Sequence, residues 1–195
     1  MSYNLVSVKK YLLSQWEEDN YFILKYFPYH SEQRNDATYF ILDFKERDPK
    51  AIADASNFFI SAINDNEEIL KNKYHCKYVM SIPSHDAQNT KSPCEDVCAT
   101  ISENTWLIHV PNGLVRTQDV AKSARSPGSQ RPNKAAHLKS ISYNGQIKKD
   151  GDFGILMIDD VFTLGNTSSA CREIILTKSK CQKVVGIFLG RTQYD

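Results

Sequence analysis

The most informative stretch of this 195-residue chain is Gly154-Ile-Leu-Met-Ile-Asp-Asp-Val-Phe-Thr-Leu-Gly-Asn-Thr167. Its apolar residues 155–158 predict a buried strand, and Asp159 and Asp160 follow at the point where that strand emerges. The pattern Thr-x-Gly-x-Thr comes next, and residues 167–176 predict a helix that begins directly after it. The stretch therefore predicts a strand, a tight turn and a helix, with polar groups gathered at the turn.

Each part of this turn suits one part of a sugar phosphate. Gly165 lets the backbone turn tightly and approach a ligand, and the start of the following helix offers backbone N–H groups to an anion. Thr163 and Thr167 add hydroxyl donors for a phosphate. Ionised Asp159 and Asp160 only accept hydrogen bonds, so they suit a sugar diol or a hydrated Mg²⁺ ion. The alternative is a structural turn with a capping threonine and two solvated acids.

The flanking sequence predicts a parallel sheet that is covered on both faces. Further strands are predicted over residues 78–82, 106–110 and 184–189, with a helix over 92–103 and a long loop over 113–140. Strands alternate with helices, and the strand segments are nearly all apolar, which is typical of an α/β fold with a parallel sheet. Ligands bind such sheets beyond the carboxyl ends of the strands, where the quoted turn lies.

The first third of the chain predicts a small α+β cap, or hood, over residues 1–73, followed by a core over residues 74–195. A helical stripe of apolar residues runs through residues 5–16. Residues 21–27 and 38–44 are rich in aromatic and β-branched side chains and are separated by a polar stretch, so we expect two antiparallel strands there.

Composition and charge exclude several classes of protein. The chain has 24 Lys and Arg against 23 Asp and Glu, a net charge of +1, and 41% of its residues are hydrophobic. These values indicate a globular protein that is neither disordered nor uniformly basic. No apolar run approaches the roughly 20 residues of a membrane span. The five cysteines are odd in number and form no C-x-x-C pair, so we expect a reducing cytoplasm and no disulfide framework.

The stretch 154–167 resembles the motif with which type I phosphoribosyltransferases bind 5-phosphoribosyl 1-pyrophosphate (PRPP). It matches every motif position: an apolar strand, two acids, an apolar residue, any residue, and then Thr-x-Gly-x-Thr. The resemblance implies the α/β fold of that superfamily, a parallel sheet with helices on both faces plus an N-terminal hood. It also implies that the protein binds PRPP and Mg²⁺ and displaces pyrophosphate from ribose C1 onto an acceptor, which the sequence does not identify.

The resemblance assigns roles to individual residues. Asp159 and Asp160 are the expected catalytic and metal-binding pair, holding the ribose hydroxyls directly or through Mg²⁺. The expected 5′-phosphate site is the loop that follows them, consisting of Thr163, Leu164, Gly165, Asn166 and Thr167. The expected pyrophosphate contacts come from the loop after the first core strand and from a basic segment, namely Ser84, His85, Lys91, Arg131 and Lys134.

Within the superfamily, the chain is most similar to the ComF-like branch. Residues 79–83 resemble the first core strand with its proline-ended turn, and residues 131–137 resemble a basic Arg/Asn/Lys segment before the motif strand. Residues 188–192 resemble the final strand with its terminal arginine, Arg191. The similarity covers about residues 75–192.

A basic segment over residues 116–149 leaves other functions open. The segment contains eight lysines and arginines and one acid, Asp119, so its net charge is 8 − 1 = +7. Three interpretations of this segment stay open: a solvated loop, a flap that closes over pyrophosphate, and a nucleic-acid contact. The alternative to an active enzyme is a PRPP- or nucleotide-sensing regulator, or an effector associated with defence or DNA uptake, with little turnover. A protein or nucleic-acid partner and a homodimer stay open, and no membrane partner is expected.

Overall fold

The structure, a computed structural model, describes residues 14–15, 19–29, 31–88, 92–120, 132–147 and 152–193. The strands within these ranges are β1 (Ser14–Gln15), β2 (Asn20–Tyr26), β3 (Cys76–Ser81), β4 (Ile108–His109), β5 (Leu114–Arg116), β6 (Ile141–Tyr143), β7 (Gly154–Phe162) and β8 (Lys183–Thr192). The helices are α1 (Asp36–Lys45), α2 (Pro49–Asp65), α3 (Pro93–Asn104), α4 (Lys134–Ser140) and α5 (Asn166–Lys178), with a π-helical turn over Ile69–Lys73.

The central sheet has the strand order β1-β2-β8-β7-β3-β4. Its strands β2, β8, β7, β3 and β4 run parallel to their neighbours, and β1 pairs with β2 in the antiparallel direction. β5 and β6 form a separate antiparallel pair. The α/β fold with a parallel sheet that the sequence predicts is therefore confirmed, and the motif strand β7 lies near the middle of the sheet.

Alternate residues of β7 pack against opposite layers of helices. Leu156 and Ile158 lie in the hydrophobic cluster that contains the buried faces of α1, α2 and α3. Ile155 and Met157 lie in a second cluster with the apolar face of α5. Because successive side chains of a strand point to opposite faces, this apolar run is buried on both sides and fixes β7 as a central strand.

The local sequence explains where α2 begins and which side of it is buried. The Asp48 side chain accepts a hydrogen bond from the Ala51 N–H at 2.8 Å, and Pro49 occupies the first turn. Proline suits that position because the first N–H groups of a helix have no partner inside it. Ala55 and Phe59, one turn apart, are then buried against the sheet.

The predicted strand over residues 38–44 is wrong, because these residues belong to α1. Asn35 and Thr38 form a reciprocal capping box at its start. Phe40 and Phe44 lie one turn apart on the buried face of α1, a spacing that fits a helix. Aromatic content suggested a strand, but the capping residues and the four-residue spacing decide in favour of a helix.

Two further predictions need correction. The predicted helix over residues 5–16 lies mostly outside the described residues, but Ser14–Gln15 is a strand, so the prediction is wrong at that end. The predicted loop over residues 113–140 contains the strand Leu114–Arg116 and the whole of the helix Lys134–Ser140. Both are short elements, and the sequence shows no long apolar periodicity there. The predicted strands of the core are confirmed, although β4 is reduced to two residues.

The N-terminal segment contributes directly to the central core. β2 pairs along its length with β8, and Phe40, Phe44 and Phe59 share one hydrophobic cluster with Leu156 and Val185 of the sheet. The predicted hood over residues 1–73 therefore includes a strand of the main sheet. Its division from residues 74–195 as a separate domain stays a prediction.

Two findings bear on the expected environment of the chain. Within the described residues, no helix is both long and apolar enough to cross a bilayer. All five cysteines are buried thiols. Burial raises the pKa of Cys76 to about 12 and that of Cys181 to about 11, so these thiols are protonated at neutral pH.

Candidate active site

The candidate site lies where β7 ends and α5 begins. Asp159 and Asp160 are in the last part of β7, and Gly165 is the N-cap residue of α5. Gly165 has φ +75°, and an added Cβ would lie 2.7 Å from the ring of Phe162. A side chain at this position would therefore be disfavoured both by the left-handed backbone and by the ring.

The first turn of α5 has the features of an anion-binding helix start. In the described chain, no side chain accepts a hydrogen bond there and the first turn holds no acidic residue. The orphan N–H groups and the positive end of the helix dipole therefore face the loop without an internal negative charge. Thr163, Asn166 and Thr167 line a cavity of about 40 Å³ at this point. The tip of the loop, Leu164, is 56% exposed.

Contacts with neighbouring segments hold this loop in place. The Asn166 side-chain amide donates to the Pro132 carbonyl at 3.1 Å. The Arg191 guanidinium donates to the Thr163 carbonyl at 3.4 Å and lies over the Phe162 ring, 5.4 Å from its centroid. The loop that carries the expected phosphate ligands is thus fixed from β8 and from the segment before α4.

The two acids have different surroundings. An Asp159 carboxylate oxygen accepts from the Asp160 N–H at 2.9 Å, and burial, reinforced by the nearby Asp160 charge, raises the pKa of Asp159 well above its usual range. Asp160 forms an ion pair with Lys45, whose Nζ lies 3.4 Å from its Oδ2. Lys45, at the end of α1, is a site residue that the sequence prediction missed.

Arg116 joins the loop after β3 to the neighbourhood of the phosphate loop. It is only 7% exposed. Its Nε donates to the Ser84 carbonyl at 2.8 Å, and its Nη1 donates to Ser140 Oγ at 2.7 Å and lies 3.3 Å from His137 Nδ1. Burial lowers the pKa of Arg116. The sequence places Arg116 in the basic segment for which a solvated loop, a flap and a nucleic-acid contact stayed open. The structure shows that its side chain is buried.

His137 connects this buried cluster to the expected phosphate loop over residues 163–167. It is 2% exposed, and its Nε2 lies 3.2 Å from Thr167 Oγ1. Burial and the Arg116 charge lower the pKa of His137 to about 4. The sequence prediction included His137 in a basic segment without giving it a role, since only the fold brings α4 against the start of α5.

The expected pyrophosphate residues are only partly brought together. Ser84 and His85 follow β3. The next three backbone N–H groups already donate to side chains of the protein: residue 86 to Ser84 Oγ, residue 87 to Asp119 and residue 88 to Asp86. Lys134 forms an ion pair with Glu173 of α5 at 2.7 Å. Lys91 and Arg131 lie outside the described residues. Their roles stay predictions.

The acid pair could take part in binding Mg²⁺ without forming a complete metal site. Mg²⁺ in phosphate sites uses one or two carboxylates and completes its coordination with water and substrate oxygens. Asp159 and Asp160 offer such a partial set of ligands. Among the described residues, no three His, Cys, Asp or Glu side chains are grouped so that they could hold an ion by themselves. The residues therefore fit an ion that arrives with a phosphorylated ligand.

Comparisons with known proteins give weak structural similarity. The chain is similar to a glutamic acid mutant from an analysis of an invariant aspartic acid in HPRTs, at 10% identity and a TM-score of 0.37, with 77% of this chain and 68% of that chain covered. It is also similar to adenine phosphoribosyltransferase from Leishmania tarentolae, at 12% identity and a TM-score of 0.42, with 92% and 94% covered. No family model and no curated protein matches the chain.

Both structural neighbours are phosphoribosyltransferases, the superfamily that the motif at 154–167 resembles. Their TM-scores lie below 0.5, so this likeness establishes neither a family nor an activity for this chain. The ComF-like branch stays a prediction. The function is therefore inferred from the chemistry of the residues around the end of β7.

Proposed function

We propose that the protein binds PRPP at the carboxyl edge of its sheet and transfers the phosphoribosyl group to an acceptor, with release of pyrophosphate. One observation carries the proposal: two carboxylates and an uncapped helix N-terminus lie within one strand–turn–helix unit. A carboxylate pair suits the ribose hydroxyls, and the helix start suits the 5′-phosphate. Assignment to the ComF-like branch, and a location in the cytoplasm, are parts of the same proposal.

In this proposal, the chain mainly binds and orients the ribose. The start of α5, with Thr163 and Thr167, holds the 5′-phosphate, and Asp159 and Asp160 accept hydrogen bonds from the ribose hydroxyls. The bond from C1 to the pyrophosphate oxygen breaks and its electron pair leaves with pyrophosphate, while a lone pair of the acceptor forms the new bond to C1. Mg²⁺ bound with PRPP would neutralise charge on the leaving group.

Lys45 fits this proposal as a neighbour of the ribose site. Its side chain is 38% exposed, and its Nζ lies 3.4 Å from Asp160 Oδ2. Lys45 can thereby orient the Asp160 carboxylate, whose oxygens accept hydrogen bonds from the ribose hydroxyls.

A thermal-shift titration with PRPP and Mg²⁺ tests the proposal, on the wild type and on the double variant Asp159→Asn/Asp160→Asn. PRPP at about 100 times its Kd adds about 2.7 kcal/mol to the stability, which for this size of chain is a Tm rise of roughly 5–10 °C. We expect this rise in the wild type and its loss in the double variant. A wild type that PRPP does not shift would overturn the proposal.

A regulator that binds PRPP or a nucleotide with little turnover is the second candidate function. It is favoured by the loop after β3, whose N–H groups at residues 86–88 are occupied by side chains of the chain itself. Such a loop has fewer donors for pyrophosphate. An assay for pyrophosphate release distinguishes the two functions, because a regulator would show the thermal shift with no pyrophosphate release until a protein or nucleic-acid partner is added.

A further inference from the structure

A short chain of hydrogen bonds runs from a buried arginine to the phosphate loop. Arg116 Nη1 lies 3.3 Å from His137 Nδ1, and on the other side of the ring His137 Nε2 lies 3.2 Å from Thr167 Oγ1. The three side chains come from β5, α4 and α5, which are distant in sequence. Thr167 is the last residue of the expected phosphate loop, so the chain ends at the candidate site.

The chemistry of Arg116 decides which nitrogen of His137 carries the proton. A guanidinium group can only donate hydrogen bonds, so His137 Nδ1 must be the acceptor in this contact. Burial and the Arg116 charge lower the pKa of His137 to about 4, which leaves the ring neutral at pH 7 with a single N–H. That N–H is therefore on Nε2, facing Thr167.

The proton on Nε2 then decides what the Thr167 hydroxyl does. A hydroxyl has one hydrogen to donate and lone pairs to accept with. If Nε2–H donates to Thr167 Oγ1, the hydroxyl hydrogen of Thr167 is not used in this contact. It is available to a ligand in the cavity that Thr167 lines.

We propose that His137 is a positioning residue, which donates from Nε2 to Thr167 Oγ1 and thereby directs the Thr167 hydroxyl hydrogen towards a bound phosphate. Arg116 holds the ring in this tautomer from the other side, and Ser140 and the Ser84 carbonyl hold Arg116. The inference rests on the proposed phosphate site. It deepens that proposal by identifying a residue that acts on the ligand only through Thr167.

Nitrogen NMR of the imidazole ring tests the tautomer without any ligand. In ¹⁵N-histidine-labelled full-length protein at pH 7, we expect the His137 signals of a neutral ring protonated on Nε2. The His137→Asn variant assigns these signals by their disappearance. A ring protonated on Nδ1, or on both nitrogens, would overturn the inference and leave the proposed function untouched.

Two matched variants test the effect on binding. In His137→Asn, the shorter amide can still accept from Arg116 but cannot reach Thr167. In His137→Gln, the longer amide can place a donor near the position of Nε2. We expect His137→Asn to weaken binding of ribose 5-phosphate by roughly tenfold, the loss of about one hydrogen bond to a charged group, and His137→Gln to restore most of it.

Thr167→Val provides the control for the route through the hydroxyl. Ribose 5-phosphate affinity is measured by calorimetry for the wild type, each single variant and His137→Asn/Thr167→Val, and thermal unfolding without ligand confirms that each variant folds. We expect the double variant to bind no more weakly than Thr167→Val alone, because residues that act as one unit are not additive.

The outcomes separate the two proposals. Equal affinity in the wild type and His137→Asn, or additive losses in the double variant, would overturn the role of His137 alone. A wild type that binds no ribose 5-phosphate would overturn the phosphate site itself and the role of His137 with it. If His137→Asn does not fold, His137→Gln assigns the NMR signals in its place and still decides: an Nε2–H ring in the wild type with near-normal affinity of His137→Gln supports the inference, and a large loss of affinity contradicts it.

Discussion

Two helices begin at the same edge of the central sheet, and their first turns are built in opposite ways. α3 follows β3 and α5 follows β7, two strands that are paired in parallel. At the start of α3, Ser92 Oγ accepts from the Cys94 N–H at 3.2 Å, and Glu95 supplies a carboxylate in the first turn. α5 begins at Gly165, with no side-chain cap among the described residues and no acid in its first turn.

The carboxylate of Glu95, in the first turn of α3, is bound by other residues of the chain. This carboxylate accepts hydrogen bonds from the Ser81 hydroxyl and from the Asn112 N–H, the latter at 2.8 Å. It also lies 3.1 Å from His109 Nε2. Burial alone would raise the pKa of Glu95, but the hydrogen bonds from His109, Ser81 and Asn112 outweigh it and lower the pKa. These contacts link β4 and the turn that follows it to α3.

The difference predicts which helix N-terminus has a structural role and which is available to a ligand. A helix start needs a negative or acceptor group for its orphan N–H groups. α3 takes that group from its own sequence, whereas α5 leaves the position open next to the cavity at Thr163 and Thr167. The comparison therefore predicts that changes at α5 alter ligand binding, while changes at α3 alter stability alone.

The largest effect is expected from Gly165→Ala. The left-handed backbone at φ +75° and the contact with Phe162 together should cost about 2–5 kcal/mol of unfolding free energy. The ring cannot easily move away, because it packs edge-on against Phe188 with centroids 4.8 Å apart. The loop should shift, and binding of ribose 5-phosphate should be lost.

Denaturant unfolding and calorimetry with ribose 5-phosphate check this prediction. Leu164→Ala is the neighbouring control, since that side chain is 56% exposed and its removal should change stability little. A Gly165→Ala protein that is as stable as the wild type and binds with the same affinity would show that the turn is not required in its observed form.

Asp159→Asn is expected to remove ligand binding and to raise stability. The pKa of Asp159 is raised in the folded protein, so the folded state holds its proton more tightly than the unfolded chain does. This group therefore destabilises the fold increasingly as the pH rises above the ordinary carboxyl value of about 3.9. The Tm of Asp159→Asn should exceed that of the wild type at pH 7, and the difference should shrink towards pH 4.

Asp160→Asn is the matched control for Asp159→Asn. It loses the 3.4 Å ion pair with Lys45, which is partly exposed and worth at most about 1 kcal/mol, and it relieves the charge beside Asp159. Its stability should thus stay close to that of the wild type. Thermal unfolding of both variants between pH 4 and 8 measures the difference, and equal or lower stability of Asp159→Asn at pH 7 contradicts the prediction.

The motif half of the site could be predicted because its signals are local. The apolar run 155–158, the two acids and Gly165 are contiguous, and each has its own backbone or burial consequence. The structure places Gly165 at the start of α5 as expected, and it places the two acids inside β7, which extends four residues beyond the predicted strand 155–158. Parallel packing also follows from strands that are nearly all apolar, and β3 and β8 are buried along most of their length.

The rest of the site depends on contacts that no local pattern contains. Lys45 reaches Asp160 because residues 38–44 form a helix. The contact could not be predicted from a strand over these residues. Arg116 and His137 are brought together by β5 and α4, which are short elements with weak periodicity. The capping pair Asn35 and Thr38 was the signal that could have indicated α1, since it marks a helix start before an apolar face.

Glu95→Gln tests the structural helix of the comparison. The amide keeps the shape of the side chain but loses the charge that strengthens its hydrogen bonds, so we expect a loss of about 1.5–3 kcal/mol in unfolding free energy at pH 7. Because the folded pKa of Glu95 is lowered, its contribution is present above the ordinary carboxyl value and is lost as the pH falls through the folded value.

Urea unfolding of the wild type and Glu95→Gln at pH 7 and in steps below pH 4.5 checks both parts. The gap in stability should be widest at neutral pH and should close in acid. Ribose 5-phosphate affinity should be unchanged in Glu95→Gln, and a large loss of affinity would mean that α3 takes part in the ligand site.

Ser92→Ala should produce the smallest effect and gives the strictest comparison of the two helix starts. Removing this N-cap hydroxyl, which accepts from the Cys94 N–H, should lower the unfolding free energy by about 1 kcal/mol. Ser92→Gly should cost less, because glycine is tolerated at an N-cap. In both variants ribose 5-phosphate, measured by calorimetry, should bind as it does to the wild type. Tighter binding of inorganic phosphate to Ser92→Ala would instead show that α3, once uncapped, offers a second anion site, and the contrast with α5 would then rest on a single hydroxyl.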